Sequence, residues 1–320
     1  MAVVGANALM SKAFTNARVN QPLSAAGLIL TAMALMGLID NYVVIIAETT
    51  GLWQFQVIRS AMALCMLMAV ARWRGWRLRP RKWTPVIART AIQSTALIIY
   101  FAALAIMPIS QAVAGLFTAP LFVVLLSVVV YRHPLDLIRA VAVICGFVGV
   151  ILVLRPETGG SDWFSILPIL AGLFYALTAV ATREWCSDEN ALTLLFGFFT
   201  GMGLYGVIGL GVLSTFPVIA PEGAAGFSFR MWGVMSGEAW LWTFAQAVGS
   251  LIAVGCITRA YQLGEASYVT VFEYALLVFA VFWGWALFGD RIDTLGALGI
   301  VVIILSGTVI TLRGSPDQKE

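Results

Sequence analysis

Charge is what this chain has least of: 11% of its 320 residues are Asp, Glu, Lys or Arg, while 61% are hydrophobic. Soluble globular chains are about a quarter charged, so a soluble fold is excluded. There is one histidine, His133, which leaves no raw material for a Ser-His-Asp set or a histidine-based metal site. The four cysteines, Cys65, Cys145, Cys186 and Cys256, are scattered without a CxxC pair and read as structural thiols packed in helices. No GxxxxGKS or GxxxxGKT loop occurs, so ATP is not bound by a P-loop and any uphill movement draws on a gradient. No metal and no other cofactor is expected. An enzyme embedded in the membrane would need a nucleophile or a clustered acid pair, and the chain offers neither, so it is not read as an enzyme.

What the chain has in abundance is long apolar runs. A membrane-spanning helix needs about 20 apolar residues to cross a hydrocarbon core of about 30 Å. That ruler predicts ten spans, near 23–46, 53–71, 84–107, 109–131, 135–154, 164–182, 190–216, 238–258, 266–288 and 294–312. The fold class is therefore an all-α, polytopic membrane protein. Lys and Arg concentrate on one side of it: Lys12, Arg18, the "RWRGWRLRPRK" stretch from Arg72 to Lys82, Arg132, Arg139, Arg183, Arg259, Arg313 and Lys319. The other side holds Arg155, Arg230 and Arg291. Cytoplasmic loops retain basic residues, so both termini are expected in the cytoplasm and the protein in the inner membrane. The first 20 or so residues lack a cleavable signal pattern, and span 1 is expected to act as the insertion signal. The basic stretch, with Trp73, Trp76 and Trp83, reads as an interfacial anchor on phospholipid headgroups and not as a nucleic-acid site.

Two phrases recur. The residues around 102–112 ("ALAIMPISQA"), then a helix, then "GFVGVILVLR" ending at Arg155 return as "RAYQLGEASY", a helix, and "VIILSGTVITLR" ending at Arg313. An odd number of crossings per repeat inverts the second copy across the bilayer, the plan of alternating-access carriers. The expected divisions are a cytoplasmic segment 1–22, a first five-helix repeat 23–155, a linker 156–163, a second repeat 164–313 and a tail 314–320. The loop 217–237 is either a passive linker or an outer gate.

A charge inside the bilayer costs about 2.5–3.5 kcal/mol on insertion scales, so each one needs a partner or a watery cavity. Asp40 and Asn41 in "MGLIDNY", Arg59, Arg89, and Glu273 beside Tyr274 in "VTVFEYALL" stand out. Asp40 falls nearer the outer side and Glu273 nearer the inner side, suiting two ends of one path. The alternative for each acid is an ion pair with Arg59 or Arg89 that only orients helices. Helical spacing puts Arg89, Gln93 and Tyr100 on one stripe of span 3, and Trp242, Gln246, Gly249 and Ala253 on one stripe of span 8. Either stripe can be a binding surface or ordinary helix packing. Pro120 frees the carbonyl of Leu116, to be met by a ligand or locally by Thr118. The glycines of span 7 (Gly197, Gly201, Gly203, Gly206, Gly209, Gly211) make a smooth face for packing within one chain or between two, so a homodimer stays open.

On "MGLIDNYVVI", "FQVIRSAMA" with Arg59, "ALAIMPISQAVAGLFTAPLF" and "AYQLGEASYVTVFEYALLVFAVFWGWALFGDRID", the chain resembles the drug/metabolite transporter superfamily, in its EamA branch. The resemblance implies two inverted five-helix repeats, a central cavity lined by spans 1, 3, 4, 6, 8 and 9, and secondary transport of a small organic metabolite. The chain departs from the family pattern in adding Asp40 to span 1 and in having "YRHP" at 131–134 where a Gly-Glu is usual. Tyr100, Phe101, Tyr175, Tyr268 and Tyr274 offer stacking faces, and Asp40 and Glu273 offer acceptors. That set suits a heterocyclic vitamin or cofactor such as riboflavin, or else an amino acid or cationic metabolite such as S-adenosylmethionine or a quaternary amine. The partners expected are a small-molecule substrate, the lipid bilayer and protons as a coupling ion, with a non-transporting sensor or scaffold as a further alternative.

Overall fold

The computed structural model describes residues 21–76, 78–106, 109–132, 137–154, 166–289 and 293–313. The first 20 residues, the seam at 155–163, His133 and Pro134 of "YRHP", and the side chain of Phe101 lie outside the described set. Every regular element among the described residues is a helix. In chain order they are α1 (Pro22–Asp40), α2 (Val43–Thr49), α3 (Leu52–Arg74), α4 (Trp83–Ile106), α5 (Ile109–Leu116), α6 (Ala119–Val129) and α7 (Leu137–Leu154), followed by α8 (Ile166–Glu184), α9 (Ala191–Thr215), α10 (Gly237–Leu263), α11 (Ala266–Val269), α12 (Ala275–Phe288) and α13 (Thr294–Arg313). Two 3₁₀ turns, Gly223–Gly226 and Thr270–Tyr274, complete the set.

Eight stretches among the described residues are long and apolar enough to cross a membrane, and Thr294–Val309 is a shorter apolar helix. The exposed faces show why these helices need lipid. Val141, Ile144, Val148 and Ile151 line one stripe of α7, and Leu298, Val301 and Leu305 line one of α13, all at helical spacing and all exposed. Local chemistry sets the helix ends. Pro22 and Pro120 sit in first turns, where no amide donor is missed. The side chains of Asn190 and Ser236 accept from Leu192 and Ala239 amides at 3.0 and 3.1 Å, starting α9 and α10. Gly75, at φ +67°, closes α3 in the left-handed conformation that a Cβ would oppose.

Three expected spans are broken where the sequence reading ran them through. Span 1 turns at Asn41–Tyr42 between α1 and α2, and span 4 turns at Phe117–Thr118 between α5 and α6. Span 9 passes from the single turn of α11 through the 3₁₀ turn before becoming α12. At membrane depth such backbone is tolerated only where protein or a cavity satisfies it. Asn41 does so for span 1: its Nδ2 donates to the carbonyl of Gly37 at 2.6 Å and, more weakly, to that of Ala280 on α12 at 3.4 Å. Thr118 does so for span 4, its hydroxyl donating to the carbonyl of Gly115 at 2.6 Å. The satisfied carbonyl is thus that of Gly115 and not of Leu116, and Pro120 starts a new helix in place of kinking an old one.

α1 packs on α10 and α12, while α8 packs on α4, α5 and α6; α3 pairs with α9, and α7 with α13. Most of the glycine face of α9 is packed within the chain, while Gly211 faces open space. Gly203 lies against Ser60, Gly206 against Val57 and the Trp53 carbonyl, Gly209 against the Trp53 ring, and Gly197 and Gly201 against Thr90 and Ser94. Small residues here let helix axes approach closely. One end of the bundle collects the starts of α1, α4, α7, α9 and α11 with the ends of α3, α8 and α10. It is tied by Gln21 N to Leu263 O at 3.0 Å and by the amides of Arg81 and Lys82 to the Glu189 carboxylate at 2.9 and 2.7 Å. Because Arg72, Arg74, Arg79, Arg139, Arg183 and Arg259 sit there, it is the basic end. At the opposite end the 217–237 loop is tied down to the bundle. Arg230 donates to the carbonyls of Ala47, Thr50 and Gly223 at 2.7, 3.2 and 2.7 Å, and Gln54 exchanges two hydrogen bonds with Gly233.

Candidate functional site

α1 brings Asp40 to the break in span 1, about 27 Å along the helix from Pro22 at 1.5 Å per residue. Its surroundings come from three other helices. Gln246 of α10 lies within hydrogen-bonding reach of its carboxylate, and Arg59 of α3 and Tyr100 of α4 lie within electrostatic range. Asp40 is nonetheless exposed. A carboxylate flanked by three helices and still accessible faces a space between them. Asp40 and Arg59 make no ion-pair contact. Arg59 instead donates Nη2 to Gln56 Oε1 at 2.6 Å and lies over the Phe55 ring, 5.1 Å from its centroid, while its Nε is buried without a partner.

The stripe on α10 packs against α1. Gln246 Nε2 donates to the Ile39 carbonyl at 2.7 Å, Gly249 lies against the Ile39 side chain, and Trp242 stacks on Tyr42 with centroids 3.5 Å apart. Gln246 therefore does two things: it fixes the end of α1 and it stands beside Asp40.

Glu273 occupies the 3₁₀ turn of span 9 and is buried, 5% exposed. Tyr175 of α8 donates to its Oε1 at 3.1 Å, Thr270 donates weakly to Oε2 at 3.4 Å, and Tyr261 of α10 stands beside the same carboxyl. No arginine pairs with it. The alternative reading, a helix-orienting ion pair with Arg59 or Arg89, is found for neither acid among the described residues, and the reason is where the arginines go. Arg89 is spent on α8, α9 and α10: Nε donates to Thr182 Oγ1 at 2.9 Å, Nη1 to the Leu194 carbonyl at 3.3 Å and Nη2 toward Thr258 Oγ1 at 3.5 Å. Those are neutral partners that a planar fork serves well. Arg89 is a staple joining four helices.

The other sequence-chosen residues separate into two groups. Gln93, on the Arg89 stripe, is 7% exposed with its Oε1 unpartnered, and Tyr100 is half-buried near Asp40. Tyr268 is buried with an unpartnered hydroxyl and meets Phe272 edge-on, centroids 5.3 Å apart. Tyr274 and Pro120 lie in packed positions, the Tyr274 hydroxyl without a partner. The Tyr274 ring is fully buried against Gly146 of α7 and Phe117, and Pro120 is buried at the start of α6. Tyr261 was missed because a tyrosine two residues after Arg259, near the end of α10, carries no signal of its depth.

The sequence comparisons agree with this architecture. Residues 23–155 match the EamA-like transporter family. A riboflavin transporter of Vibrio cholerae serotype O1 is 26% identical over 298 residues, covering 91% of this chain and 94% of that protein. A pseudopaline exporter of Pseudomonas aeruginosa is 24% identical over 78% of this chain and 82% of its own, and an S-adenosylmethionine uptake transporter of Rickettsia felis is 22% identical over 63% and 62%. A crystal structure 17% identical superposes with a TM-score of 0.75 over 90% of this chain and 96% of that one, which shows the shared fold. With helices of membrane-crossing length and a polar interior, this chain is similar to the EamA-like transporter family, whose model matches residues 23–155, and to full-length transporters at 24–26% identity.

Proposed function

We propose that the protein is a secondary transporter that moves a small organic metabolite across the cytoplasmic membrane by alternating access. One observation carries this reading: two carboxyl groups with no arginine in ion-pair contact lie within an apolar bundle, Asp40 accessible and Glu273 buried behind Tyr175 and Thr270. A charge-bearing group kept at such depth marks a substrate or ion pathway. The packing supports the two inverted repeats, 23–155 and 164–313. α8 sits on α4 and on α5 and α6 as α1 sits on α10 and on α12, while α3–α9 and α7–α13 pair across the middle. A pseudo-two-fold axis in the membrane plane generates that exchange. The basic end is read as cytoplasmic by the positive-inside rule.

The substrate read here is a heterocyclic vitamin or cofactor of the riboflavin kind. The full-length relative that is a riboflavin transporter supports it, as do the aromatic rings of Tyr100 near Asp40 and Tyr175 on Glu273. A cationic metabolite is the second reading, favoured by two acids without an arginine partner and by the S-adenosylmethionine-transporting relative. Counterflow in proteoliposomes with labelled riboflavin and with labelled S-adenosylmethionine tests both. Saturable exchange of one, abolished in Asp40→Asn or Glu273→Gln, supports that reading; binding without exchange of either supports a sensor.

A further inference from the structure

We propose that Arg139 and Glu265 form the gate that closes the basic end of the pathway. The inference rests on the transporter reading and assigns a role to two residues that otherwise count only as loop charges. Arg139 lies in the first turn of α7, and Glu265 in the two-residue link between α10 and α11. The guanidinium pairs with the Glu265 carboxylate and also donates to Ser267 Oγ at 3.2 Å, while Ser267 Oγ donates to the other Glu265 oxygen at 2.8 Å. The pair therefore joins the expected first repeat to the expected second one.

Its placement is that of a bolt. Directly behind it, Tyr268 and Tyr261 are each 2% exposed and Glu273 is 5% exposed, while Asp40 at the far side of the interior is open to water. One acid is thus accessible, and the other is buried on the side of the interior nearer the Arg139–Glu265 pair. The segment carrying Glu265 is also built to move. Its carbonyl starts the single turn of α11 by accepting from the Tyr268 and Val269 amides, both at 3.0 Å. The chain then runs as 3₁₀ helix to Glu273, so bolt and buried carboxyl share one short irregular stretch with no long α-helix between them. Broken helices of this kind line carrier sites and shift between two arrangements. A partly exposed ion pair is weak, as a reversible closure must be.

The test uses the full chain with its four cysteines replaced by serine and Tyr268→Cys added as a reporter, labelled by a membrane-impermeant maleimide in vesicles of each orientation. Arg139→Glu and Glu265→Arg are each expected to raise labelling from the basic-end side by about fivefold, the population shift that loss of one such pair brings. The double exchange is expected to return labelling close to the parental rate. Glu265→Gln, which keeps the shape and a hydrogen bond to Ser267, is expected to behave like the charge reversals and serves if those do not fold. Labelling that no single change moves, or that the exchange does not restore, overturns the gate. Labelling does not depend on transport. Exchange-sensitive labelling in a protein without counterflow would keep the gate and sink the transporter reading, and counterflow with exchange-insensitive labelling would do the reverse.

Discussion

The phenol of Tyr175 on α8 donates to the carboxylate of Glu273 on span 9 at 3.1 Å, and with Thr270 it occupies the acid that the rest of the bundle leaves without a cation. Glu273→Gln keeps the size and most of the hydrogen bonding but cannot carry a charge or a proton. We expect exchange in proteoliposomes to fall by at least about tenfold with thermal stability within a few degrees, since an apolar setting favours the neutral amide. Tyr175→Phe removes one hydrogen bond to the carboxylate, a loss of about 1.5–3 kcal/mol for a charged acceptor, and should cost transport without abolishing it. Equal exchange in all three proteins would remove Glu273 from the mechanism.

Asp40 differs from Glu273 in being open to water, so its replacement has no buried carboxyl to relieve and little effect on folding is expected. Asp40→Asn should instead weaken ligand binding. For a cationic substrate the loss is expected to be about tenfold or more, because a desolvated carboxylate–cation contact contributes on the order of 1.5–3 kcal/mol. For a flavin-like substrate, held by stacking and neutral hydrogen bonds, a change of about threefold or less is expected. Thermal-shift titration with both ligands gives the two numbers, and the pattern between them chooses the substrate class.

Arg89 is a scaffold residue, and its prediction concerns stability. It ties α4 to Thr182, Leu194 and Thr258, and truncation to alanine leaves a cavity and removes all three ties. Arg89→Ala should lower unfolding free energy by about 2–4 kcal/mol, and Arg89→Lys should rescue little, because one ammonium cannot reach three helices as a fork does. Detergent unfolding curves read this directly. A variant as stable as the parent but inactive would return Arg89 to the substrate path.

Most of the ten expected spans were legible in the sequence, eight among the described residues being long and apolar enough to cross. They were legible because lipid leaves few options: a long apolar run has to be helix, and an acid within it stands out by its cost. The breaks were less legible. Asp40-Asn41-Tyr42 and Thr118-Ala119-Pro120 carry turn chemistry, but such residues also sit in continuous membrane helices. What settles the matter is the partner, Ala280 for Asn41, more than two hundred residues away. Arg89 and Arg59 were equally visible as costly charges, and equally mute about their partners. Long-range neutral acceptors such as Thr182 and Thr258 have no pattern that points back to an arginine. Glu273 was found for its depth, whereas Tyr261 beside it looked like one more aromatic.

The glycine face of α9 gives a prediction with a built-in control. A Cβ at Gly209 would overlap the Trp53 ring, and one at Gly206 would meet Val57 Cγ2 at 2.8 Å, whereas Gly211 has nothing within 4 Å. Gly206→Leu and Gly209→Leu are expected to lose about 1–3 kcal/mol or more to overpacking, or to fail to accumulate folded protein. Gly211→Leu should be neutral, and helix propensity leans slightly in its favour. Fluorescence size-exclusion profiles of the three variants separate these outcomes. A Gly211→Leu variant that alone changes its elution position would show that the open part of this face serves contact between copies.

The last prediction concerns the strap at the end opposite the basic one. Arg230 reaches three backbone carbonyls, two of them, Ala47 and Thr50, at the turn between α2 and α3, and the Phe227 carbonyl accepts from the Leu52 amide at 2.7 Å. Carbonyls at a helix C-terminus carry the negative end of the macrodipole, so a guanidinium there is held by charge as well as by hydrogen bonds. Arg230→Ala takes away the charge and all three bonds but leaves the Gln54–Gly233 exchange and the Trp53 indole bonded to the Ser228 carbonyl at 3.0 Å. The loop should loosen without being released: limited proteolysis within 217–237 is expected to speed up by about tenfold, while the unfolding temperature falls by only a few degrees. Adding Gln54→Ala should bring a further gain in cleavage, since it removes the remaining reciprocal pair. A loop that stays resistant in the double variant would mean that packing of Phe227 against Phe55, at 6.2 Å between centroids, holds the strap and that its polar ties are incidental.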